Sequence, residues 1–192
     1  LDKGYERVIW MDADIIIFDP EKLAVDTPES HLLCNEVWLD TADGVDFGTG
    51  EIFCVSKITN SLTMFTQDSK ILDFYIEATE SIVKRNTGYL SRLCVSTNFF
   101  TPLSKIVYLP LFRQVGLFSP ILMHGIVSDE KDILQLYAHS LESPVYAANL
   151  CYSFRNRVYK GLTISDALFD ETITTLLQTK GGSINQYLDR KD

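Results

Sequence analysis

The chain lacks an apolar run of the ~18–20 residues that a helix needs to cross a bilayer, so no transmembrane helix is expected. Cysteine is scarce: Cys34, Cys54, Cys94 and Cys151 are the only four in 192 residues. None forms a Cys-x-x-Cys pair and the spacings are irregular. That argues against a zinc or disulfide framework and for reduced, buried small hydrophobes. The compartment reading leans to the cytosol and leaves open attachment to a membrane through other segments. Positive charge is also short, with 17 Lys+Arg against 26 Asp+Glu and a net charge of −9. Proteins that neutralise phosphates usually carry a basic face, so nucleic acid is not an expected partner. An anionic nucleotide can still be bound locally through a cation. No internal repeat, low-complexity tract or linker is visible, so one domain over 1–192 is expected. No Met opens the sequence, no signal pattern follows, and a strand starts at residues 8–11. A βα domain would have earlier strands, so the expectation is a fragment incomplete at its N-terminus.

Hydrophobic residues make up 46% and charged residues 22%, a globular composition. The segment 7–18 reads as apolar strand, two carboxylates, apolar strand, ended by Asp19-Pro20. Further strands are predicted at 31–38, 51–56 and 105–109, with a polar, Gly-containing loop over 40–50. Ile71, Leu72, Tyr75, Thr79, Ile82 and Val83 fall at helical spacing behind Asp68 or Ser69 as N-cap, with a stop at 86–88. A helix capped by Ser128 or Asp129 is predicted to run to about Ala138. Thr163 and Asp166 match a capping box for a last helix that ends at Gly181-Gly182. Alternating strands and helices point to an α/β fold with a mixed, mostly parallel sheet flanked by helices.

Asp12-Ala13-Asp14 is the sharpest chemical feature. Alternation along a strand would point both carboxylates to one side, where like charges repel unless a cation or donor compensates. Hard oxygen ligands suit Mg²⁺ or Mn²⁺, which keep remaining sites for water and phosphate oxygens. The plainer alternative is a strand end that meets solvent.

Residues 5–20, Tyr-Glu-Arg-Val-Ile-Trp-Met-Asp-Ala-Asp-Ile-Ile-Ile-Phe-Asp-Pro, resemble the metal-binding segment of GT-A-type nucleotide-sugar glycosyltransferases. The resemblance implies a GT-A fold, of which this chain would be the C-terminal metal-binding and acceptor half. It also implies Mn²⁺ or Mg²⁺ bridging the diphosphate of a UDP- or GDP-sugar donor. Asp14 becomes the direct metal ligand, and Asp12 a contact to ribose or sugar or a ligand through water. Asp46-Phe47-Gly48-Thr49-Gly50-Glu51-Ile52-Phe53 resembles the family's donor-sugar segment without its Asn, which gives Gly48, Thr49 and Gly50 a cofactor-binding role. His139 is similar to the family's third metal ligand, although the His-x-x-Gly-x-x-Lys pattern of the glycogenin-like branch is missing. A helix-end histidine is the alternative, and His124 competes for the ligand role. His31 reads as structural.

Arg155, Arg157 and Lys160 form a short basic cluster. Arg155 and Lys160 are candidates to stabilise a leaving diphosphate, the alternative being a solvated face. An inverting reaction needs a carboxylate base, for which Glu51, Asp46 and Asp166 are candidates. Resemblance to the glycogenin-like and lipopolysaccharide-sugar-transferase branches favours a retaining hexosyltransferase. The acceptor would be a hydroxyl of a glycan, protein or lipid. Two other classes stand beside this one. A non-catalytic α/β carbohydrate- or protein-binding module suits the aromatic content. A haloacid-dehalogenase-type phosphatase uses a strand-end Asp-x-Asp, but expects Thr or Val where this chain has Ile16.

Overall fold

Local signals account for where several elements begin. Ser69 accepts from the Leu72 amide, Ser119 from Leu122 and Ser165 from Leu168, each opening a helix. A serine oxygen there satisfies one of the amides that a helix start leaves unpaired. The computed structural model describes residues 4–188. In chain order the elements are β1 (Arg7–Met11), β2 (Ile15–Ile17), β3 (His31–Asp40), β4 (Phe53–Thr66), α1 (Lys70–Arg85), α2 (Thr97–Leu103), β5 (Leu111–Phe112), β6 (Val115–Leu117), α3 (Pro120–Val127), α4 (Lys131–His139), β7 (Ala147–Asn149), β8 (Val158–Tyr159), β9 (Leu162–Thr163), α5 (Asp166–Thr179) and α6 (Gly182–Asn185). Short 3₁₀ turns cover Arg92–Val95 and Tyr152–Phe154.

The chain divides into two compact units. The first comprises Leu1–Asp12, Asp26–Asn35 and Lys57–Phe112; the second comprises Ala13–Val25, Glu36–Ser56 and Arg113–Asp192. The long strands β3 and β4 contribute residues to both. In the first unit β1 pairs antiparallel with β4 and β3 pairs parallel with β5. Leu33, Ile58, Phe100 and Leu109 form a buried cluster there, with Ile71, Tyr75 and Phe99 packed on it. The Tyr75 hydroxyl donates to the Val95 carbonyl at 2.6 Å.

In the second unit β7 is the middle strand of three, antiparallel to β2 and parallel to β6. Its core gathers Leu39, Phe118, Leu122, Met123, Leu134, Tyr137, Ala148 and Leu176, all fully buried or nearly so. The fold is thus α/β with mixed sheets and helices. The expectation of mostly parallel pairing is corrected, because β1, β2 and the β8–β9 hairpin all pair antiparallel. An apolar run marks a strand but neither which way its neighbour runs nor that it is covered: Val8, Ile9, Trp10 and Met11 of β1 are exposed.

Other expectations also shift. The strand expected at 105–109 is turn and coil, with Ile106 and Tyr108 exposed, and the actual strand is β5. β4 continues ten residues past the predicted 51–56 segment. The cap of α5 is Ser165, not a Thr163–Asp166 box, and Asp166 instead pairs with Arg155. Helix α4 starts after Glu130 without a side-chain cap, so neither Ser128 nor Asp129 fills that role. None of the four cysteines forms a disulfide; Cys34 is buried as expected, whereas Cys54, Cys94 and Cys151 are only half-buried.

Candidate functional site

The Asp-x-Asp segment lies outside the strands. β1 ends at Met11, β2 begins at Ile15, and residues 12–14 make the link between two different sheets. Strand alternation therefore does not orient the two carboxylates. Asp12 belongs to the first unit, where its amide donates to the Ser61 carbonyl at 2.8 Å and its carboxylate accepts from the Trp10 indole N–H at 3.0 Å. Asp14 belongs to the second unit. Its carbonyl accepts from the Leu150 amide at 3.1 Å, and its Oδ2 accepts from the Tyr152 amide at 3.0 Å. The strand pair β2–β7 sets this, because Ile15 lies opposite Asn149 and carries the residue before it alongside Leu150.

Within the second unit Asp14 stands on the wall of an open cavity of about 700 Å³. Leu150, Ile16, Ile173 and Phe169 supply its apolar lining, and Tyr152, Arg155, Asp166 and Asp170 the polar part. Arg155 donates to Asp166 through both Nε and Nη2, a fork-to-carboxylate arrangement. Each partner favours the charged form of the other. The hydrogen bond from Arg155 holds the Asp166 carboxyl below its usual range, and Asp166 raises the guanidinium further. The guanidinium also lies over the Tyr152 ring, 5.1 Å from its centroid, and that ring packs 5.4 Å from Phe169. Three carboxylates against one guanidinium make the wall acidic.

The other candidates cluster elsewhere in this unit. The Asp46 backbone carbonyl accepts from the Thr49 and Gly50 amides at 3.1 and 3.0 Å, closing the 40–50 loop on itself. Gly50 is small because a Cβ there would sit 2.5 Å from Val45, whereas Gly48 faces open space. Lys160 donates to the carbonyls of Ala42 at 2.8 Å and Thr41 at 3.2 Å, with Asp40 at 3.8 Å. It locks the same loop from the β8–β9 turn. The Tyr159 hydroxyl donates to Asp40 at 2.7 Å, and burial together with that carboxylate raises the phenol well above its ordinary value. Glu51 and Arg157 are exposed. None of Asp46, Gly48, Thr49, Gly50, Glu51, Lys160 and His139 lines the cavity that holds Asp14.

His139 is the exposed last residue of α4, the helix-end position. His124 faces Glu130 at 2.9 Å and packs edge-on against Phe47. Among the described residues no three of His, Cys, Asp and Glu stand close enough to share a metal ion. Of the predicted site residues the fold brings together Asp14, Arg155 and Asp166. Sequence reasoning missed Tyr152, Phe169 and Asp170. Asp170 carried a signal, since it lies one helical turn beyond Asp166 on α5; Tyr152 carried none. Comparison of the chain with family models, with curated proteins and with solved structures finds no significant match.

Proposed function

We propose that the chain carries the metal and diphosphate site of a glycosyltransferase that moves a sugar from a nucleoside-diphosphate-sugar to an acceptor hydroxyl. The observation that carries this reading is the position of Asp14, the second carboxylate of the Asp-x-Asp segment, on the wall of an open cavity of about 700 Å³, with Arg155 and two further carboxylates. A diphosphate brought to so acidic a wall needs a cation beside it. Mg²⁺ and Mn²⁺ in phosphate sites use one or two carboxylates and fill their remaining positions with substrate and water oxygens, so Asp14 is a fitting donor. Such an ion supplies charge neutralisation for the departing nucleoside diphosphate. Asp14 would hold it, with its carboxylate oriented by the Tyr152 amide. Arg155 would add a fixed positive charge for the leaving oxygens, presented by Asp166 and the Tyr152 ring. The apolar wall of Ile16, Leu150 and Phe169 would exclude water. In an inverting reaction Asp170, on the same wall, would take up the acceptor proton. His139, Asp46, Glu51 and the Gly48–Gly50 turn have no part in this version of the site.

Calorimetric titration of UDP and GDP, each with and without Mn²⁺, tests the reading. Binding that requires Mn²⁺ and is lost in Asp14→Ala is the expected result. Binding indifferent to both, or no binding, would sink it. One observation favours a second reading: the guanidinium on the wall is already engaged by a carboxylate, which leaves it less charge to offer a diphosphate. Oligosaccharide binding without nucleotide binding would place the protein among non-catalytic carbohydrate-binding modules.

A further inference from the structure

The second unit buries a polar pair that the proposed chemistry does not use. Glu36 on β3 is 2% exposed and Asn149 on β7 is 8% exposed. The Asn149 Nδ2 donates to the Glu36 Oε1 at 3.4 Å, and its Oδ1 accepts from the Cys151 amide at 3.0 Å. The Glu36 oxygen that faces Asn149 accepts, so it is the nitrogen end of the Asn149 amide that meets it. The oxygen is thereby turned towards Cys151. Cys151 sits in the left-handed region, at φ 51° and ψ 50°. That conformation is disfavoured for a residue with a Cβ and persists where surrounding contacts enforce it. The next amide along is that of Tyr152, the donor to Asp14 Oδ2.

We infer that Asn149, oriented by Glu36, is a positioning residue for Asp14: it holds Cys151 left-handed so that the Tyr152 N–H meets the Asp14 carboxylate. The buried pair, the strained residue and the cavity carboxylate form one continuous chain of contacts. The arrangement needs an acceptor two residues before the Cys151 turn and a buried acid behind it. A plain core position would be filled by apolar residues at lower desolvation cost. The importance of this device for catalysis rests on the reading of Asp14 as the metal-side carboxylate, but its existence does not.

The experiment therefore has a readout in the ligand-free protein. In the parent chain, Asp14→Asn should move the Tyr152 amide resonance in the ¹⁵N–¹H spectrum. In the Asn149→Ala background the same change should leave that resonance unmoved. Adding Cys151→Gly should restore the response, because glycine takes the left-handed conformation without the Cβ cost. If Asn149→Ala does not fold, Asn149→Ser is read instead. Serine can still accept from the Cys151 amide but cannot reach Glu36, so the response should be weakened and recovered by Cys151→Gly. An undiminished response to Asp14→Asn in the Asn149→Ala background, or in Asn149→Ser if that is the variant that folds, overturns the inference. A separate Mn²⁺ titration reads the functional side. Outer hydrogen-bond partners of a metal ligand are worth about 10- to 100-fold in affinity, so Asn149→Ala should weaken Mn²⁺ by at least about tenfold. Absence of Mn²⁺ binding by the parent chain counts against the proposed function, while the resonance test still decides the role of Asn149.

Discussion

Helix α1 in the first unit and helix α3 in the second are opposites. α1 has the clear helical spacing of apolar residues, with Ile71, Tyr75 and Ile82 inward and Phe74, Ile76 and Val83 well exposed, yet it fully buries no residue. α3 has almost no polar face, and six of its eight residues are buried. Periodic alternation marks a helix that keeps one side in water, and it is silent about a helix surrounded by core. That is why residues 71–83 announced their helix and Pro120–Val127 did not. Charge divides along the same line. The first unit has eight basic and nine acidic residues, the second nine and seventeen. The acidic half is also the half with the large core and the cavity.

The contrast can be broken most directly by truncation. Leu122→Ala on α3 should cost about 2–5 kcal/mol in chemical denaturation, since the side chain is fully buried. Val83→Ala on α1 should stay within about 0.5 kcal/mol, as exposed positions do. Equal costs would show that α1 is as tightly held as α3. The next largest effect is expected at Gly125. Alanine is the better helix former by about 1 kcal/mol, but a Cβ there would lie 2.7 Å from Ile133 Cγ2. Gly125→Ala should therefore destabilise, by about 1–3 kcal/mol after repacking. A gain in stability would mean that α4 shifts freely away from α3.

Amide exchange sharpens the comparison without mutation. The α1 amides should exchange through local openings well before those of α3 and α4, because opening α1 exposes little buried surface. Uniform protection across both units would refute this.

The smallest effects are those of pH, and they have opposite signs in the two units. Burial lowers the pKa of His31 in the first unit below its ordinary 6.5. Below that value the unfolded chain takes up a proton that the folded chain resists, so stability should fall as the pH drops through about 6.5 and under it. Tyr159 in the second unit is raised above its ordinary 10.0, by burial first and by Asp40 next. Its folded form stays neutral where the unfolded phenol ionises, so stability should fall as the pH rises above about 10. His31→Phe and Tyr159→Phe, followed by denaturation across pH, should each flatten one limb only.

The helix spacing at 71–83 and the Ser69 cap were legible because each is a local matter. So was the pair of acids between apolar strands. The sequence by itself determined that Asp12 and Asp14 sit at the edge of apolar structure and that strands alternate with helices. Which residues surround Asp14 was decided only by tertiary structure. β2 finds its partner in β7, more than 130 residues on, and that pairing carries the 150–155 turn to the cavity wall. The basic cluster was divided by the same cause. The β8–β9 hairpin sends Arg155 to Asp166 and Lys160 to the 40–50 loop, although the two are close in sequence. Composition and spacing along the chain report what a residue can do. Long-range strand pairing, which leaves no periodic mark of its partner, decides what it does it with.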